Sequence, residues 1–73
     1  MTQTQTQFAA ALREEAAVAI RKLRKSGVSA TELSVDLIIA RMDTRKLAGM
    51  PGAPVGMNAQ WVFADMVRKI ANI

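Results

Sequence analysis

Apolar side chains recur at three- and four-residue spacing through the first third of the chain. Phe8, Leu12, Ala16, Ala19, Ile20 and Leu23 fall on one face of a helix predicted from about Phe8 to Ser26. Gly27 follows as the left-handed residue that ends it. Ahead of Phe8 the chain alternates Thr and Gln without an apolar period. Residues 1–7 therefore read as a frayed, flexible arm, with Thr4 and Gln7 as a capping box or Thr6 as a single cap.

Ser29-Ala30-Thr31-Glu32 has the form of a capping box and predicts a second helix running to about Thr44. Its apolar residues, Leu33, Val35, Leu37, Ile38, Ile39 and Met42, cover more than one face, which suits a helix in the middle of a fold. Leu33, Val35, Leu37 and Ile39 also alternate as in a strand, but a lone strand has nothing to pair with. From Ala48 to Met57 come three of the four glycines, both prolines and no charge, the mark of a loop. Asn58 is then expected to cap a last helix to about Asn72, with Ala59, Phe63, Met66, Val67 and Ile70 as its apolar stripe. The expected fold is all-α: a small three-helix domain spanning residues 8–73, with a Gly/Pro loop before the last helix. Core volume should come from Phe8, Leu12, Ile20, Leu23, Leu33, Leu37, Ile38, Ile39, Phe63, Val67 and Ile70.

Length limits that core. A 73-residue chain buries only about 60% of the surface its unfolded form exposes. There is no cysteine, so neither a disulfide nor a thiolate zinc site is available. Histidine and tyrosine are absent as well, which leaves carboxylates and lysines for proton transfer. Glu14 and Glu15 are adjacent and point about 100° apart on a helix. Glu32 and Asp36 share a face but have no third ligand, a poor basis for a metal site. Gly49, Gly52 and Gly56 lack the lysine that follows a phosphate-binding loop. With no activated nucleophile, metal or cofactor in prospect, the expectation is a protein that is not an enzyme. The first residues lack the basic and apolar regions of a secretory signal. Apolar runs such as Leu37 to Ala40 fall far short of the ~20 residues a membrane span needs. A cytoplasmic monomer with no membrane partner is the expectation.

Charge adds the first functional signal. The net charge is +4 and the pI about 10.4, which draws a small domain to anionic surfaces. Arg21, Lys22, Arg24 and Lys25 crowd the end of the first helix, and Arg13 lies on the same side as Arg24. The residues four before those cations are Ala17, Val18, Ile20 and Arg21, so no carboxylate neutralises them along the helix, and Arg21 repels Lys25. The helix macrodipole favours cations there by about 0.3–1 kcal/mol each, enough to account for one or two. The remainder point to an anionic partner, with a solvated face as the plain alternative. Arg41, Arg45 and Lys46 form a looser cluster around Asp43. Trp61 falls on the far side of the last helix from its apolar stripe, beside Asp65 and Arg68. Either the preceding loop folds over the ring, or Trp61 is exposed and anchors an interface with Arg68.

The stretch Ile20-Arg-Lys-Leu-Arg-Lys-Ser-Gly-Val-Ser-Ala-Thr-Glu-Leu-Ser34 resembles the opening of repressor-type helix-turn-helix domains, in which a basic helix, a Gly-aliphatic-Ser turn and a Glu-Leu pair follow one another. The likeness covers about fifteen residues. The family pattern then calls for a glycine turn near Ile38, where a β-branched residue cannot take positive φ cheaply. Taking Gly27 as that glycine instead puts Leu23 at a small-residue position and Asp36 at an apolar one. Over its whole length the chain is similar in size and charge to small phage-encoded regulators that bind host RNA polymerase, displacing σ factor or promoting antitermination. That resemblance implies a protein that acts by occupying a surface, with Arg21, Lys22, Arg24 and Lys25 meeting an acidic patch or upstream nucleic acid. The function expected is regulation of transcription initiation or termination by docking on a large assembly such as RNA polymerase. DNA binding of the helix-turn-helix kind and inhibition of another host machine are the alternatives, and Arg13, Arg21, Lys22, Arg24, Lys25, Trp61 and Arg68 are the candidate contact residues.

Overall fold

The computed structural model describes residues 3–73, which form four helices and, among the described residues, no strand. Helix α1 is Gln3–Lys25, α2 is Val35–Ala40, α3 is Thr44–Ala48 and α4 is Ala59–Ala71. The all-α class is as expected, with four helices in place of three. Met1 and Thr2, part of the expected arm, lie outside the described residues. The rest of that arm is helical, because α1 already runs from Gln3. Thr4 and Thr6 therefore stand inside α1 and not at an N-cap.

At its other end α1 stops as the sequence predicts. Gly27 takes φ +92°. The Gly27 amide donates to the Arg24 carbonyl at 3.0 Å and the Val28 amide to the Leu23 carbonyl at 3.1 Å. This pair of bonds is a Schellman closure, and it satisfies carbonyls the helix end would otherwise leave bare. Val28 turns back, half-buried, against the core.

The long second helix expected from Ser29 to Thr44 is two short ones. The Ser29–Glu32 bonds do form: the Ser29 hydroxyl donates to the Glu32 carboxylate at 2.8 Å and the Ser29 amide at 3.4 Å. They close an isolated turn, however, and no helix follows directly. Ser34 is the actual cap of α2, its hydroxyl accepting from the Leu37 amide at 3.2 Å. Asp43 then caps α3 by accepting from the Lys46 amide at 3.2 Å. A side-chain acceptor placed three residues before a free amide competes with helix continuation. Two such residues inside one stretch divide it. Asn58 occupies the N-cap position of α4, but its side chain makes no capping bond, and the amide of Ala59 instead donates to the Gly56 carbonyl at 3.2 Å.

The core is one cluster. Phe8, Leu12, Ala16, Ala19 and Leu23 of α1 meet Ile38, Met42, Leu47 and Val67, all buried, and Ile20, Leu33, Ile39, Phe63 and Ile70 pack around them half-buried. Leu37, expected in the core, is 40% exposed. In a six-residue helix with Ile38 aimed inward, its neighbour about 100° away faces out. Leu47, which sequence reasoning left out, is fully buried and anchors α3.

Candidate functional site

The cations at the end of α1 fall into two groups. Arg21, Lys22 and Lys25 surround Val18, which is 40% exposed, in a shallow depression of about 190 Å³. Arg24 points about 100° away from Lys25 and shares a side with Arg13, since eleven residues bring the helix to within about 20° of its starting direction. None of Arg13, Arg21, Lys22, Arg24 and Lys25 makes an ion pair among the described residues.

The carboxylates explain this. Glu15 pairs with Lys46 at 3.4 Å. Asp65 lies 3.2 Å from Lys69 and 3.9 Å from Arg68. Glu32 accepts both Ser29 bonds, and these, the hydroxyl bond first, hold its carboxyl below its ordinary 4.5. Asp43 is spent on its cap. Four of the six acids are thus engaged away from the end of α1. Arg68, a candidate contact, shares Asp65 with Lys69, while Arg41 and Arg45 are exposed and without an ion pair among the described residues.

Trp61 is 77% exposed, so the preceding loop does not cover it. That loop divides its residues instead: Ala53 and Pro54 turn toward the core, while Val55 and Met57 are 89% and 98% exposed. Trp61 and the basic depression are also far apart. Phe8 lines the same cleft as Ala59, Gln60 and Phe63, which puts the start of α4 beside the early turns of α1. Lys22 is fourteen residues further along α1, a rise of about 20 Å. Of the candidate contact residues, Trp61 and the cations at the end of α1 therefore stand on separate parts of the surface.

The cleft next to Trp61 was not legible in the sequence, because four elements and the loop build it. It measures about 390 Å³, within the ~300–1,000 Å³ range of ligand sites. Phe8, Ile39, Leu47, Pro54 and Phe63 give it apolar walls, and Asp36, Thr44 and Gln60 add polar atoms. Among the described residues no group of three or more acids could hold a metal ion, and no helix is long and apolar enough to cross a membrane.

The helix-turn-helix likeness does not survive in its original frame. Glu32 lies in a turn, and Leu33 precedes α2. Helices α2 and α3 are joined by the three residues 41–43, a connection of the length such a turn uses. Comparison with models of protein families, with curated proteins and with solved structures gave no match.

Proposed function

We propose that this protein is a non-enzymatic regulator of transcription that docks on RNA polymerase through the basic end of α1, altering initiation or termination by occupying a surface. One observation supports the docking mode above the rest: Arg21, Lys22 and Lys25 stand around an exposed Val18 with no ion-pair partner among the described residues. Cations ringing an apolar centre fit a protein surface whose acidic rim surrounds an apolar spot. A phosphate backbone has nothing to offer the valine. The choice of polymerase rests on the likeness of the whole chain to phage regulators in size and charge. The absence of histidine, cysteine and tyrosine supports a role without catalysis.

The test replaces Arg21, Lys22, Arg24 and Lys25 together by Gln and measures affinity for purified RNA polymerase by calorimetry. Binding should weaken at least tenfold while helix content by circular dichroism stays unchanged. Equal affinity of the two proteins would remove the basic end from the reading.

A second reading, DNA binding, draws on α2 and α3. Arg41 in the connecting turn and Arg45 on α3 are exposed and carry no ion pair among the described residues. Against it, α3 has only five residues, and Lys46 is held by Glu15. A DNA binder would lose affinity log-linearly with salt, with a slope of about −0.9 per phosphate contacted. A protein interface with an apolar centre would be milder in salt.

A further inference from the structure

We propose that the face formed by the 53–57 loop and the first turn of α4 pairs with a second copy of this chain, the Trp61 ring of each copy seating in the cleft of the other. This inference uses residues distinct from those of the α1 docking reading and does not depend on it.

Val55, Met57 and Trp61 are 89%, 98% and 77% exposed within seven residues of sequence. Large exposed apolar patches mark interaction sites, and these three bare side chains come from one short stretch of chain. The cleft is interleaved with them: Ala53, Pro54, Ala59 and Gln60 line it, and Trp61 directly follows Gln60. One short stretch therefore supplies both the projection and the recess. A two-fold contact needs such a self-complementary patch, so that both recesses fill at once.

Area and charge agree with this occupant. Covering the three side chains and the cleft walls removes about 600 Å² per copy, or about 1,200 Å² in total, the lower bound of specific interfaces. From Leu47 to Ala64 the chain carries no charge. Each copy has a net charge of +4, but Arg21, Lys22, Arg24 and Lys25 begin about 20 Å along α1 from Phe8 in the cleft wall, well beyond the ~8 Å over which charges act at physiological salt, and the charged residue lining the cleft is the acid Asp36. A buried indole N–H needs an acceptor, and Asp36, Thr44 and Gln60, each with a side-chain oxygen, are among the residues lining the cleft.

Sedimentation equilibrium of the full chain across the micromolar range tests the pairing. The mass should rise with concentration from 7.9 kDa toward twice that value, with tryptophan emission moving to shorter wavelength in step. Trp61→Ala removes the projection and Gln60→Arg obstructs the recess. Both side chains are exposed, so both variants should fold, and each should weaken self-association at least tenfold. The fourfold Gln variant of α1 should associate as the native chain does. A chain that stays at its monomer mass throughout would overturn the proposal. So would association untouched by Trp61→Ala, whatever else binds this face. Weakening by Trp61→Ala but not by Gln60→Arg would overturn the cleft as the seat.

Discussion

The Lys46 ammonium stands 3.4 Å from the Glu15 carboxylate and ties α3 to the middle of α1. Among the described residues it is the one ion pair that joins two helices. The lysine is 63% exposed and the glutamate 21%, so solvent screens the attraction. A double-mutant cycle with Lys46→Ala and Glu15→Ala should give a coupling of about 0.2–1 kcal/mol, fading at high salt. Urea unfolding of the four proteins at two ionic strengths checks it. A coupling indifferent to salt would argue against the pair.

Gly27→Ala should destabilise the fold by about 1–2 kcal/mol, the cost of placing an L-residue in left-handed backbone. A Cβ at this position would meet no atom within 4 Å. The loss would therefore come from backbone conformation and not from a clash, and Gly27→Ser should cost about the same. Urea midpoints of Gly27→Ala and Gly27→Ser measure this directly.

Leu47→Ala should cost about 2–5 kcal/mol, because it opens a cavity where α3 meets the core. A chain of 73 residues commands about 4–11 kcal/mol in all, so this single change removes a large share of stability. The far-ultraviolet dichroism melt should shift downward by many degrees. A shift of only a degree or two would show that α3 is not anchored there.

The Ser29–Glu32 turn should be sensitive to acid. Bonding to Ser29 lowers the folded pKa of Glu32 below its ordinary 4.5. A lowered carboxylate pKa contributes stability that is present above the unfolded value and lost as pH falls through the folded one. The turn should therefore be intact above about pH 4.5 and loosen below the depressed value. A carbon-detected NMR titration of the Glu32 carboxyl should show a midpoint below 4.5, moving upward in Ser29→Ala. A midpoint that Ser29→Ala leaves in place would mean the hydroxyl does not hold the carboxylate in solution.

The legible parts of the fold are those governed by one period. Phe8, Leu12, Ala16, Ala19 and Leu23 recur with the helical repeat and are all buried; the chain needs no other information to orient α1. Residues 33–44 were harder because their apolar side chains satisfy several patterns at once. There the outcome turned on Ser34 and Asp43, polar residues that look like ordinary helix surface until their oxygens close on amides three residues ahead. Leu47 is not legible in the sequence because a lone leucine between Lys46 and Ala48 has no period to belong to. At the candidate site, the unpaired cations could be anticipated from the missing carboxylates one turn earlier. The cleft could not, since Phe8, Ile39, Leu47, Pro54 and Phe63 are strangers in sequence.

The brevity of α2 and α3 has a consequence for how the molecule comes into being. Six and five residues fall well below the ~12–15 at which a helix begins to persist alone in water. Neither persists before the long helices lie against it, α2 against α1 and α4 and α3 against α1, so they form on a scaffold that α1 begins. A shortened version without α4 would keep helical content only in the 23 residues of α1, and would lose α2 and α3 with the core they share.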